Sequence, residues 1–279
     1  MTRLPLAQVT LCAVETRTPA LALQALLRSM HQVDFGRVLL FTNGWTPRRV
    51  VPGVELYDID AIETEAAYSN FLLRKLPYYV RSSHALVTRW DGFVVNAAAF
   101  SPEFLVYDYL APVWPGEPEG RNVGSGGFSL RSRRYLRAGL DPRIVDEHPE
   151  DIVMGRQQRA FLEREHGISF APAKLARLFA AGGEDGGQGA SFGFHGVHHL
   201  PRVVDEAELS RWLVELPDAF FRGNDAVCLA RAMQNQGMAA AAARVRERRL
   251  AAGGSSEGAA GCCQPSLAGR VLAALGLRR

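Results

Sequence analysis

The pattern that most constrains this chain is an alternation in its amino-terminal third. Short β-prone apolar runs occur at residues 8–14 (QVTLCAV), 37–42 (RVLLFT), 54–59 (VELYDI) and 84–89 (HALVTR). Helical periodicity fills the gaps after the first and third runs. One stretch runs from Leu21 to Met30, opened by Thr18-Pro19 with proline at the first helical position, and another spans about 63–80. The 37–42 run ends at Asn43-Gly44 and the 84–89 run at Trp90-Asp91-Gly92. Strands that alternate with helices need crossover connections, which argues for an α/β fold with a largely parallel sheet.

Beyond residue 92 the chain changes character. Residues 93–128 are rich in glycine, proline and aromatics, with short apolar pieces such as Phe104–Tyr109. A strand is predicted over 126–131 (GGFSLR), emerging from a glycine turn, and a short helix over Arg133–Ala138. Pro149 opens a longer helix, about 150–166, ended by Gly167. A glycine-rich loop, 182–189, precedes the strand-like Ser191–His195. From Asp205 the periodicity is helical again, over Glu206–Leu216, Asn224–Gln236 and Met238–Ala251, the last two joined at Asn235-Gln236-Gly237. Residues 252–265 (AGGSSEGAAGCCQP) read as a linker.

A length of 279 residues allows one or two domains, and 47% hydrophobic with 22% charged residues excludes a wholly disordered or fibrous chain. The net charge of +3 is too small to argue for nucleic acid as a partner. All but two of the basic residues, Lys75 and Lys174, are arginine, which coding bias explains. Seven arginines against Glu247 and Glu257 put the basic surplus after residue 243, so residues 1–243 are slightly acidic. Cys12, Cys228, Cys262 and Cys263 show no metal-ligand spacing and read as free thiols in a reducing compartment. No apolar run reaches the ~20 residues of a membrane span, and residues 1–11 lack the apolar core of a signal peptide, so the chain reads as cytoplasmic.

Four features bear chemistry. Asp91 follows a strand predicted to be central, at the sheet edge where open α/β folds bind ligands, though Asp-Gly is also a common turn. Gly124-Ser125-Gly126-Gly127 lets backbone N–H groups approach a ligand, but matches neither a phosphate loop nor a dinucleotide fingerprint. Glu150-Asp151 suits the first turn of a helix through its dipole, or supplies a carboxylate base. His195, with His198 and His199, offers imidazole without a specific metal spacing.

In chain order these pieces say more than each alone. A strand-end D-G, then GSGGFSLRSRRYL, then E-D at a helix start, then F-x-F-H-G resembles the GT-A glycosyltransferase superfamily. More closely, the Asp91-Gly92-Phe93 strand end and the stretch from Asn122 to Ser132 (NVGSGGFSLRS) resemble a bacterial glycosyltransferase-like family of unassigned function. The middle is also similar to the β-1,4-galactosyltransferases, in Gly126-Gly127, Arg133–Ala138, Glu150-Asp151 and Arg156. The resemblance covers about residues 7–200. It implies a GT-A-like α/β domain over 1–200, a Rossmann-like mixed sheet flanked by helices. A small helical appendage at 201–251 and a flexible basic tail at 252–279 remain.

The resemblance also implies roles. Asp91 stands where the last Asp of D-x-D holds a divalent cation, Mn²⁺ or Mg²⁺, against the donor diphosphate, and His195 where a histidine completes that site. The first Asp of the motif falls at Arg89, which leaves fewer ligands for a cation and offers a guanidinium to the phosphates. Asp151 matches the aspartate that acts as base on the acceptor hydroxyl, with Glu150 contacting acceptor or donor sugar. The segment from Thr10 through Thr16 to Arg17 would hold the nucleoside, with Gly126 and Gly127 also against the donor.

The implied activity moves a sugar from a nucleotide sugar, a UDP-sugar, to a hydroxyl of a glycan or lipid-linked acceptor, with inversion. A second class is a non-catalytic nucleotide-sugar or glycan-binding domain derived from a transferase, which the missing aspartate favours. A nucleotidyltransferase would want a G-x-G-T-R-like loop, and residues 14–20 (VETRTPA) have no glycine. Residues 266–279 (SLAGRVLAALGLRR) fit either a short amphipathic helix on an anionic membrane face or a solvated terminus.

Overall fold

The spine of the protein is β1 (Leu4–Val14), whose residues from Val9 onward are all buried. A strand covered on both faces reads as a continuous apolar run rather than an alternating one. The computed structural model describes residues 2–114, 117–118, 120–145, 148–182 and 191–255. Cys262, Cys263, the tail 266–279, most of the predicted linker and residues 183–189 of the glycine-rich loop lie outside the described residues.

From β1 the chain enters α1 (Pro19–Gln32), with Pro19 at its first turn and Leu21, Ala22, Leu23, Ala25 and Leu26 buried. It returns as β2 (Val33–Thr42), then β3 (Glu55–Asp58). The helical stretch predicted over 63–80 changes pitch twice. It begins as α2 (Glu65–Asn70), widens over Phe71–Lys75 and tightens over Leu76–Tyr78, where Pro77 removes a donor. β4 (His84–Thr88) follows, buried throughout. Next come β5 (Tyr109–Leu110), a strand not predicted from sequence, and β6 (Phe128–Ser132) and α3 (Arg133–Ala138), each near its sequence expectation.

The predicted helix 150–166 is two helices. α4 (Glu150–Ile152) runs into a wide turn, Val153–Gln157, and α5 (Arg159–His166) restarts after Gln158 leaves helical geometry. Gly155, a weak helix former, sits in that turn against Trp114. Gly167 ends α5 at φ 62°, as its glycine predicts. After α6 (Ala173–Phe179), only Gly193–Phe194 of the predicted strand 191–195 pairs, as β8 with β7 (Ala180–Ala181).

The six-stranded sheet has the order β3-β2-β1-β4-β6-β5. The first four strands are parallel, and β6 is antiparallel to both β4 and β5. The fold is thus a Rossmann-like mixed sheet flanked by helices, as expected.

Four helices, not three, complete the described chain: α7 (Glu206–Glu215), α8 (Asp218–Arg222), α9 (Asn224–Asn235) and α10 (Ala239–Ala251). The extra one starts after Pro217. Their apolar faces share one buried cluster with Leu21 and Ala25 of α1, Trp90, Phe93 and Phe194. Among the described residues no helix is long and apolar enough to cross a membrane.

His199 lies buried where that cluster meets the sheet domain, its ring beside Phe194 and 4.0 Å from His198. Burial, with neighbouring His198, Arg202 and His195, pushes its pKa from 6.5 down to about 3. The unfolded chain therefore takes up a proton near pH 6.5 that the native state refuses until about pH 3. Stability from this group is full above pH 6.5 and is lost as pH falls below it. Unfolding by denaturant should show a loss of about 1–2 kcal/mol between pH 7 and pH 5. His199→Gln should flatten that slope; an equal slope in the variant would assign it to other groups.

Candidate functional site

Three chain segments meet at one edge of the sheet because of its mixed order. β1 and β4 are parallel neighbours and stop at the same edge, while antiparallel β6 starts there, with Thr88 opposite Phe128. The residues leaving β1, those leaving β4 and those entering β6 thus share the edge where α/β folds bind ligands. A cleft of about 700 Å³ opens there. α4, the turn after β8 and the α8–α9 junction form its other walls.

Asp91 and His195 meet although 104 positions separate them. Val94 bridges to Gly193, and Gly196 N–H donates to the Asp91 carbonyl at 2.9 Å. That pairing delivers the His195 imidazole, with Nε2 3.7 Å from Asp91 Oδ1. Gly127 makes room for the ring: a Cβ at 127 would lie 2.0 Å from His195 Nε2. The second glycine of the G-G pair is thus demanded by a close approach.

The carboxylate pair is built on a buried charge. Arg131 on β6 has no exposed surface, and its guanidinium forks onto Glu150, Nη1 to Oε1 at 2.5 Å and Nη2 to Oε2 at 3.3 Å. Burial works against the Arg131 charge, and the Glu150 carboxylate outweighs it, so the pKa is raised. Arg131 Nε also donates to Ser129 Oγ, which donates to the Gly126 carbonyl. The Gly126 N–H in turn donates to Asp151 Oδ2 at 3.1 Å. The glycine turn therefore directs an amide at Asp151 as well as lining the cleft. Ser69 Oγ accepts from the Glu150 N–H and lies 2.9 Å from His148 Nδ1.

Of the residues expected from sequence, Arg17, Arg89, Asp91, Gly126, Gly127, Glu150, Asp151 and His195 all line this cleft. Thr10 does not. It lies inside β1, fully buried, with Oγ1 2.7 Å from Ser82 Oγ, because the strand extends to Val14. Thr16 is also outside the lining; its hydroxyl donates to the Ile62 carbonyl and accepts from the Ile62 N–H. The sugar contact expected of Glu150 must compete with the Arg131 fork. Sequence reasoning missed Glu65, Arg131, His148 and Asp225. Arg131 stood inside the quoted NVGSGGFSLRS stretch, but nothing local marked Glu150 as its partner.

The cleft is rich in acid. Glu15, Glu65, Asp91, Glu150, Asp151 and Asp225 line it, against the guanidinium groups of Arg17 and Arg89. The Arg89 charge holds Glu65 below the usual carboxylate range. Desolvation in the cleft, then the Asp91 charge, raises Asp225. Such a field favours a cation. No three His, Cys, Asp or Glu side chains gather as a metal cage among the described residues. Asp91 and His195 form a two-donor set, which suits Mn²⁺ or Mg²⁺ only when phosphate oxygens and water complete the shell.

A profile of the family described as "Protein of unknown function (DUF5672)" matches residues 53–195. That segment carries Arg89, Asp91, the glycine turn, Glu150-Asp151 and His195. No curated protein matches the chain in sequence. Among matching solved structures is the galactosyltransferase LgtC in complex with donor and acceptor sugar analogs. The two share 9% identity over 76% of this chain and 98% of that one, with a TM-score of 0.43. A likeness that loose has no bearing on function.

Four variants test this geometry. Arg131→Met should cost about 3–5 kcal/mol by leaving Glu150 buried without its cation, and Arg131→Met with Glu150→Leu should recover most of that. Gly127→Ala should cost about 1–3 kcal/mol by displacing His195. Gly126→Ala should cost less, its nearest contacts being 3.3 Å away. Chemical denaturation reads all four, and a Gly126→Ala more damaging than Gly127→Ala would contradict the packing described.

Proposed function

The chain belongs to the DUF5672 family, and from that premise we propose that it is a glycosyltransferase of GT-A type. It moves a sugar from a nucleotide-sugar donor, a UDP-sugar, to a hydroxyl of a glycan or lipid-linked acceptor. One observation carries the reading: Asp91 with His195 and Glu150 with Asp151 line the same cleft at the ligand-binding edge of the sheet. The motif order that resembles the superfamily supports it independently.

On this reading Asp151 is the base. Its carboxylate takes the proton from the acceptor hydroxyl as that oxygen bonds to the anomeric carbon, and the bond from that carbon to the diphosphate oxygen breaks. A single in-line displacement inverts the anomeric configuration. The Gly126 N–H holds the Asp151 carboxylate in orientation, and the Arg131 fork fixes the Glu150 carboxylate beside it. Arg17 and Arg89 face the negative charge that grows on the departing nucleoside diphosphate. Asp91 and His195 would hold a divalent cation, which when bound supplies further charge neutralisation at that diphosphate.

A second reading rests on position 89. An arginine paired with Glu65 stands where a metal-binding aspartate would be, which favours a non-catalytic domain that binds nucleotide sugars. The experiment separates the two. Purified protein is given UDP-sugars with and without Mn²⁺, and UDP release is followed beside UDP binding by calorimetry. Turnover in the wild type is expected, and Asp151→Asn should lower it at least about 10³-fold while UDP affinity stays within about twofold. UDP binding with no turnover by the wild type would support the binding domain. Full turnover by Asp151→Asn would remove Asp151 from the role of base.

A further inference from the structure

Two guanidinium groups reach the cleft from the ends of β1 and β4, and one carboxylate holds both. Glu65, in the first turn of α2, accepts from Arg89 Nη1 at 3.0 Å and from Nη2 at 3.1 Å. Arg17 Nη2 stands 3.8 Å from the same carboxylate. The fork of a guanidinium fits a carboxylate and a phosphate equally well, through the same pair of parallel hydrogen bonds.

The two sides of this contact differ in freedom. The Arg89 side chain is 26% exposed and its guanidinium lies over the Tyr68 ring, 5.0 Å from the centroid. The Glu65 and Arg17 side chains are about half exposed. Thr64 Oγ1 caps α2 by accepting from the Ala67 N–H, so the helix start does not rely on Glu65. A half-exposed carboxylate in an ion pair contributes little stability and exchanges readily. The structure therefore offers a fixed receptor, Arg89, a movable second arm, Arg17, and an anion that can leave.

We propose that Glu65 is a stand-in anion: its carboxylate occupies the diphosphate position on Arg17 and Arg89, and a nucleoside diphosphate binds by displacing it. This rests on the reading of the cleft as a nucleotide-sugar site and adds Glu65 as the residue that sets its anion affinity. A diphosphate brings two phosphoryl groups, one for each arginine, and so outcompetes a single carboxylate where a monophosphate does not.

Calorimetry with inorganic pyrophosphate tests the exchange, with chelator present so that no cation contributes. Glu65→Gln should tighten pyrophosphate binding about fivefold or more over the wild type, with inorganic phosphate remaining weak. Glu63→Gln removes the same charge from an exposed position outside the cleft and should change binding less than about twofold. Arg89→Met and Arg17→Met should each weaken it about tenfold, and Arg17, half exposed, keeps the test sound if Arg89→Met does not fold. Equal binding by Glu65→Gln and wild type, equal tightening by Glu63→Gln, or unchanged binding by Arg17→Met would each overturn the proposal. UDP measured beside pyrophosphate distinguishes a nucleotide from the free anion as the natural occupant, UDP being expected tighter. Tightening in Glu65→Gln without sugar turnover would keep the stand-in and remove the transferase; turnover with no response to Glu65→Gln would do the reverse.

Discussion

The Arg131–Glu150 pair is the interaction on which the cleft depends. A guanidinium with no exposed surface, in the antiparallel half of the sheet, is tolerable only with its charge met and its donors used. Glu150 meets the charge, and Ser129 and the Gly126 carbonyl take further donors. That demand ties β6, the glycine turn before it and the start of α4 into one unit. Asp151 inherits its position from being next in the chain, and the amide of Gly126 finishes its orientation. An apolar pair of equal volume would hold the fold as well, so the cost of burying these charges makes sense as positioning.

Close packing then sets what the turn is made of. Gly127 lies where the His195 ring allows no side chain, and a Cβ at Gly124 would strike the Trp114 ring at 2.1 Å. The glycines that suggest a ligand loop in the sequence are equally the residues that let aromatic and imidazole rings approach the backbone. Their two uses agree: by admitting His195, Gly127 completes the Asp91 side of the cleft, and by presenting its amide, Gly126 completes the Asp151 side.

The electrostatics of the cleft sharpen the proposed chemistry. Six carboxylates against two arginines do not make a general phosphate-attracting surface. Anion binding must come from placed guanidinium groups, or from a cation carried in with the diphosphate, or from both. On the proposed reading, Arg89, where the resemblance expects a metal-binding aspartate, moves the balance toward the guanidinium route, and its partner Glu65 makes that route conditional on exchange.

The amino-acid sequence by itself determined most of the elements and their order, though not β5, α6, β7, α8 or the break between α4 and α5. Pro19 opens α1, Gly167 closes α5 and Gly237 turns between α9 and α10, because proline, glycine and hydrophobic period act within a few residues. It also determined which short stretches carry polar chemistry, since Asp91, Glu150-Asp151 and His195 could be singled out from residue type and local setting. Tertiary structure alone decided their partners. That β6 runs antiparallel, that Arg131 answers Glu150 and that Glu65 bridges Arg17 and Arg89 depend on contacts 19 to 48 positions apart, and Asp91 meets His195 over 104. Thr10 shows a different limit: the run at 8–14 already placed it inside the first strand, and the structure buries it there although the resemblance put it at the donor. Such pairings follow from strand order and from what must be buried together, and no local pattern encodes either.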